Sequence, residues 1–174
     1  HIVDLRSHSR NPRLVLRGHR REDFAASAAM WGDPEVAQHI SGRPSTAEES
    51  WARLLRYPGL WFYLGFGFWV VEEKASGRFV GEVGFGDFKR DSDPSLSGNA
   101  EMGWVLAPWS HGKGYASEAV LAVCAWADAQ RPGLPVVCII SPENTASIRV
   151  AEKAGFTLWQ QGTYHDSPTL VFKR

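Results

Sequence analysis

The segment with the most chemistry in it runs from Glu101 to Glu118 and reads Glu-Met-Gly-Trp-Val-Leu-Ala-Pro-Trp-Ser-His-Gly-Lys-Gly-Tyr-Ala-Ser-Glu. It has the texture of a strand, a loop with two glycines, and the first turn of a helix. A helix start carries N–H groups without intrahelical acceptors and a positive partial charge, so Gly112 and Gly114 would let backbone donors close on an anion. Such a loop binds phosphate; the alternative is a tight turn that needs glycine only for its shape. What is missing narrows the ligand. A P-loop would need Gly at 107 and a hydroxyl residue after Lys113, where the chain has Ala107 and Gly114, so the Mg²⁺-binding group is absent. A dinucleotide fingerprint would need Gly or Ala at 117 and an acidic residue on the following strand. The chain has Ser117, and the next strand is Val136-Val-Cys-Ile-Ile. Nucleoside triphosphate hydrolysis and nicotinamide or flavin chemistry are therefore disfavoured.

Outside this segment, few residues are arranged for catalysis by type and spacing alone. Cys124 and Cys138 have no Cys-x-x-Cys pair or Cys/His cluster around them, which points to buried reduced thiols and to no metal site. His19 and His39 lack partners at ligand spacing and read as structural or surface residues. His165 and Asp166 could be half of a hydrolytic triad, yet no Ser or Cys sits in a nucleophile motif such as Gly-x-Ser-x-Gly.

Taken together, the motifs resemble those of the GCN5-related N-acetyltransferases (GNAT). The cofactor motif of that family, Gln/Arg-x-x-Gly-x-Gly/Ala, is matched from His111 through Gly114 to Ala116, with His111 in place of Gln or Arg. A second match is Asn144-x-x-Ser147-x-Arg149-Val150-x-Glu152-Lys153-x-Gly155-Phe156, one strand later. A third, Trp31-Gly-Asp-Pro-Glu-Val36 followed by the Ser45/Thr46-x-x-Glu box, is similar to the ribosomal-protein alanine N-acetyltransferase-like subgroup. The resemblance spans residues 14–172.

The resemblance implies acetyl-CoA as acetyl donor, its pyrophosphate on the loop of His111, Gly112, Lys113, Gly114, Tyr115, Ala116 and Ser117. It implies backbone N–H groups of Trp104, Val105 and Leu106 at the thioester and pantetheine, and Asn144 on the pantetheine arm, although Asn144 is also a good helix cap. Transfer to an amine by direct attack needs a neutral nucleophile, a stabilised oxyanion and a proton for the leaving thiolate. Glu101 is the implied base, directly or through water, with an ion-paired or solvent-facing carboxylate as the other reading and Glu82 as its substitute. The acid that many members supply as Tyr is Ala151 here. Ser147 matches a Ser of the subgroup, and it either donates to the coenzyme sulfur or bonds locally within its helix. His111 removes a permanent cation, which is expected either to weaken the phosphate contact or to make it pH-sensitive. The implied acceptor is a protein α-amino group first and a small amine second: an amino acid, polyamine or aminoglycoside. Ala151 and His111 keep open a non-catalytic acyl-CoA-binding module.

These residues need elements to hold them. Leu14-Val15-Leu16 reads as a strand, and Arg20 to Met30 as a helix with Phe24, Ala28 and Trp31 at helical spacing. A second helical piece is expected over Pro34 to Ile40. A third starts at a capping box at Ser45 or Thr46 and ends at Pro58-Gly59. Strands follow at Phe68 to Glu72 and Phe79 to Phe88, with a turn at Lys74 to Gly77 between them, and after a polar turn at Asp91 to Gly98 another at Asn99 to Leu106. A long apolar helix runs to about Ala129. Pro135 to Ile140 has the unbroken apolar pattern of a central strand, Asn144 to Ala154 is a helix, and Thr157 to Tyr164 and Thr169 to Phe172 are final strands turning at His165 to Pro168. The order specifies a single-domain mixed α/β (α+β) fold. With the resemblance it becomes a mostly antiparallel twisted sheet of about six to seven strands flanked by helices, the Gly loop following the fourth strand.

Composition sets the outer limits. The 174 residues are 44% hydrophobic and 22% charged, which suits one cored domain and excludes wholesale disorder. Lys plus Arg and Asp plus Glu each total 19, so no global basic excess favours nucleic acid. The longest apolar stretch, Gly59 to Val71, is broken by Gly65 and Gly67 and falls short of a membrane span. The N-terminal residues lack the apolar core of a signal peptide, so a cytoplasmic protein, monomer or homodimer, is expected. Residues 1–13 are set apart as an N-terminal extension or remnant, and 14–174 form the N-acetyltransferase domain.

Overall fold

The computed structural model describes residues 12–174. The expected extension, apart from Pro12 and Arg13, lies outside the described residues. Eight strands make one sheet: β1 (Leu14–Arg17), β2 (Phe68–Glu73), β3 (Phe79–Gly86), β4 (Ser92–Asp93), β5 (Ala100–Leu106), β6 (Val136–Ile140), β7 (Thr157–Tyr164) and β8 (Ser167–Lys173). Their order across the sheet is β1-β2-β3-β5-β6-β8-β7-β4, antiparallel except for the β5–β6 pair. The helices are α1 (Phe24–Trp31, entered through a 3₁₀ turn), α2 (Pro34–Ala37), α3 (Ala47–Leu64), α4 (Tyr115–Gln130) and α5 (Thr145–Lys153). Among the described residues no helix is long and apolar enough to cross a membrane.

Strand alternation divides the two faces. On one face, Trp69, Val83, Phe85 and Met102 pack with Ala119, Val120, Val123 and Trp126 of α4 and with Ala151 of α5. Trp61, Trp69 and Trp126 meet edge to face at centroid distances of 4.8 to 5.5 Å. The other face carries α1 to α3, where Phe68 packs with Leu54, Tyr57 and Leu60. β6 is interior, as its apolar run requires, with Val137 and Cys138 at 0% and 1% exposure. Both cysteines are free and buried, and burial pushes the Cys124 thiol up to about 11 and Cys138 further in the same direction.

Several boundaries differ from expectation: α2 ends at Ala37 rather than Ile40, and β3 at Gly86 rather than Phe88. The helix α3 does not stop at Pro58 but runs through it to Leu64, where Gly65, at φ +72°, ends it with its N–H on the Trp61 carbonyl. An interior proline costs about 3 kcal/mol. Leu60 and Trp61, both buried beyond it, each recover about 1.5 to 3 kcal/mol. The polar stretch from Asp91 to Gly98 is not all turn, since Ser92 and Asp93 pair with Tyr164 and Thr163 as an eighth, edge strand. The last hairpin turns tightly on His165 and Asp166, both at positive φ, so β8 begins at Ser167.

Candidate functional site

The central feature is an opening between β5 and β6. The two strands pair only at Ala100 with Val136 and Glu101 with Val137, then diverge. Register fixes which backbone groups of β5 face the gap. Ala100 N–H bonds Pro135 on the β6 side, and Ala107 N–H bonds Val80 on the β3 side. Alternation therefore directs the N–H groups of Trp104 and Leu106 into the opening and turns Val105 toward its partner Glu82 on β3. The expected trio of donors is thus reduced to two, because neighbouring residues of a strand cannot face the same side.

The Gly loop closes the β5 edge of the mouth. Gly112 and Gly114 adopt φ +77° and +78°, and an added Cβ at Gly112 would meet open space. Among the described residues no side chain caps the start of α4, which leaves its first N–H groups to meet an anion. The loop side chains turn elsewhere. His111 donates from Nε2 to the Leu106 carbonyl at 2.9 Å, fixing the end of β5 rather than reaching out as a cation. Tyr115 is buried with its hydroxyl on Glu73 at 2.6 Å, which raises it above its ordinary value, so only its backbone serves the mouth. Ala116 and Ser117 are half-buried in the first turn, and Lys113 is exposed.

A cation does lie against the loop, from a residue set aside in the sequence reading. Arg13, just before β1, donates to the Lys113 carbonyl and to Glu118 at 2.8 Å each and lies 4.6 Å over the Tyr115 ring. One of its Nη atoms sits 3.5 Å from where a Gly114 Cβ would be. No motif announces it; only the pairing of β1 beside β2 brings it there.

Across the mouth, Asn144 caps α5 by accepting the Ser147 N–H at 3.2 Å. Ser147 is half-buried, and its Oγ makes no hydrogen bond among the described residues. The free hydroxyl sits on the α4–α5 face.

Glu101 lies at the closed end of the opening and, by alternation, on the opposite face, with α1 to α3. It is 7% exposed and accepts from Arg90 Nε at 2.6 Å, while Arg90 also donates to the Tyr164 hydroxyl at 2.9 Å. Burial works against the Arg90 charge, but Glu101 and Tyr164 hold it above its ordinary value. A cavity of about 240 Å³ lies here, with Phe88, Arg90, Asn99 and Glu101 in its wall. Glu82 is different. It is wholly buried and accepts from His19 Nε2 (2.9 Å), Ser27 Oγ (2.9 Å), Trp31 Nε1 (2.8 Å) and Tyr57 OH (3.0 Å). A carboxylate with four donors and no exposure ties α1 and α3 to the sheet and is closed to an incoming amine. His19 is structural, as expected. Near the end of α3, Trp61 is core and Phe62 is 81% exposed, so these two aromatic side chains do not share one wall.

Comparison with known proteins follows this geometry. The model of the acetyltransferase (GNAT) domain matches residues 13–157. The uncharacterized protein YkkB of Bacillus subtilis (strain 168) is 26% identical over 155 residues, 88% of this chain and 87% of that one. The uncharacterized N-acetyltransferase p20 of Bacillus licheniformis is 28% identical over 146 residues, 83% and 79% of the two chains. The crystal structure of an acetyltransferase from Agrobacterium tumefaciens str. C58 is 28% identical with a TM-score of 0.83, covering 100% of this chain and 95% of that one. The same fold recurs in RimL, a ribosomal L7/L12 α-N-protein acetyltransferase with coenzyme A (16% identity, TM-score 0.77, 100% and 97% covered). It recurs also in the aminoglycoside acetyltransferase AAC(6')-Ib with coenzyme A (18%, 0.75, 92% and 94%).

Proposed function

The chain belongs to the GNAT acetyltransferase family and uses acetyl-CoA, and from that premise we propose that it acetylates a primary amine seated on the Glu101 face of the β5–β6 opening. The observation that supports this reading is the opening itself, with free N–H groups along one edge, an uncapped helix start at its mouth and a carboxylate at its closed end. The residues present suit the donor: the α4 start and the positive-φ glycines offer backbone donors for a pyrophosphate, and the Trp104 and Leu106 N–H groups suit a carbonyl oxygen. Acetyl-CoA, when bound, supplies the thioester.

In this reading the chain's own groups divide the work by face. Glu101, on the α1–α3 side, takes a proton from the attacking amine, and Arg90 holds its carboxylate in position. The Trp104 N–H stabilises the negative charge that develops on the acyl oxygen. Ser147, on the α4–α5 side, donates its unpartnered hydroxyl to the departing sulfur. Glu101 thus serves the amine as it adds to the carbonyl carbon, and Ser147 serves the sulfur as the tetrahedral intermediate collapses and the thiolate leaves. The loop residues His111, Gly112, Lys113, Gly114, Tyr115, Ala116 and Ser117 serve through their backbone, His111 by holding the Leu106 carbonyl, and Asn144 lines the arm of the donor while capping α5. A protein α-amino group, as in the ribosomal-protein subgroup, is the acceptor we favour over a small amine.

Glu101→Gln and Ser147→Ala are each expected to lower kcat at least about tenfold with little change in acetyl-CoA affinity. Steady-state rates with calorimetric titration check both quantities. Unchanged turnover in either variant removes that residue from the mechanism, and tight acetyl-CoA binding with no amine acetylated replaces the transferase reading by a binding module.

A further inference from the structure

The acceptor side of the opening is cationic. Arg56 of α3 and Arg90, after β3, both lie over the Phe88 ring, 4.7 and 4.8 Å from its centroid. Arg53, just before Arg56 on α3, lies 3.7 Å over Trp31 and gives one N–H to Ser45 Oγ at 3.2 Å, while its buried Nη1 has no partner among the described residues. Arg56 has no hydrogen bond or ion pair among the described residues. The nearby anions are already engaged: Glu101 by Arg90, Asp87 by Lys89 at 2.8 Å, and Glu82 by its four donors. Arg53, Arg56, Lys89 and Arg90 thus outnumber the open-side carboxylates Asp87 and Glu101. Loss of solvent and the charges of Arg53 and Arg90 hold Arg56 below its ordinary value, against Tyr57 and Glu101.

This cluster is not the phosphate seat of the Gly loop. Along β5, Glu101 and Leu106 are about 17 Å apart at about 3.4 Å per residue, and the Gly loop lies beyond Leu106. The cavity beside Arg90 and Glu101, about 240 Å³, is smaller than the roughly 300–1,000 Å³ of drug-sized sites, so it suits the first residue or two of a chain or a molecule of that size. Two guanidinium groups 4.7 and 4.8 Å from one ring centroid, one of them the exposed Arg56 without an ion pair among the described residues, offer planar donors that match a carboxylate, whose charge offsets their mutual repulsion.

Resting on the reading of this chain as an amine acetyltransferase, we propose that its acceptor is a primary amine bearing a carboxylate near the amine. The carboxylate seats on Arg56 and Arg90 and the amine is delivered to Glu101. Polycations such as aminoglycosides and polyamines are repelled from the same surface. The carboxylate can come from a free amino acid or from acidic side chains behind a protein N-terminus.

The test uses matched acceptors at saturating acetyl-CoA. One pair is L-glutamate and its diamide; the other is Ala-Glu-Glu-amide and Ala-Gln-Gln-amide; spermidine and kanamycin form the cationic set. The expected result is a kcat/KM at least about tenfold higher for the carboxylate member of one pair, the pair naming the source, with Arg56→Gln bringing the ratio near one through KM and Arg56→Lys restoring part of it. Equal use of both members of each pair, or preference for the polycations, overturns the inference and leaves the transferase reading standing. If acetyl-CoA binds by calorimetry and none of these amines is acetylated, both fall.

Discussion

A Gly114→Glu variant is expected to bind acetyl-CoA at least about a hundredfold more weakly than the parent. Gly114 stands at φ +78° as the residue before α4, where a side chain strains the backbone by about 1 to 2 kcal/mol. Relief of that strain moves the loop and spoils the alignment of N–H groups on which the anion depends. If the loop holds instead, the new carboxylate competes for the same helix start, whose attraction for an anion reaches about 2 kcal/mol in partly buried sites and becomes repulsion of similar size between two anions. A hundredfold loss corresponds to about 2.8 kcal/mol of binding, since each 1.4 kcal/mol is tenfold. Thermal stability should fall by only several degrees for a chain of this size. Calorimetric titration alongside a melting curve separates the two effects. An affinity within a fewfold of the parent would take the cofactor away from this loop.

Glu82→Ala is expected to remove a large part of the folding free energy. Four donors, from His19, Ser27, Trp31 and Tyr57, converge on a carboxylate with no solvent exposure. Each donor left buried without an acceptor costs about 1 to 3 kcal/mol. Even with water entering the space, a loss of at least about 4 kcal/mol follows, which is exceptional for one substitution. Glu82→Gln provides the gentler comparison, since its amide keeps one acceptor oxygen but turns two N–H groups toward donors. Burial alone would raise the Glu82 pKa; the hydrogen bonds and charge of His19, with Trp31 and Ser27, outweigh it and hold the group below the usual carboxylate range. A depressed folded value contributes stability that is present above the unfolded value of about 4.3 and is lost as pH falls through the folded one. Denaturant unfolding at pH 7 and below pH 4 checks this: the gap between parent and Glu82→Gln should shrink at the acid end. A constant gap would mean that Glu82 is already neutral in the native state.

Much of the fold was legible because it rests on periodicity and capping. The unbroken apolar run at 136–140 gave an interior strand, and the Thr46-x-x-Glu49 box is present with both of its hydrogen bonds. Pro58 misled because a local breaker was weighed without the buried Leu60 and Trp61 that outbid it. In the site, backbone donors could be assigned to a strand but not to alternate residues of it, since that depends on which neighbour each N–H faces. The role of Glu82 was hidden for a related reason: its partners come from β1's sequel, α1 and α3, far away in the chain. Arg13 carries no local signal at all, and its place beside Gly114 follows only from tertiary pairing.

The two-pair junction between β5 and β6 also has a kinetic signature. Amides at 103 and 105 are locked into the β3 ladder, whereas those of Trp104 and Leu106 face the gap. In hydrogen–deuterium exchange resolved by residue, protection along this single strand should therefore alternate, slow at Gly103 and Val105 and fast at Trp104 and Leu106. Adding acetyl-CoA should slow the fast pair selectively, so that β5 itself reports which of its faces the donor occupies.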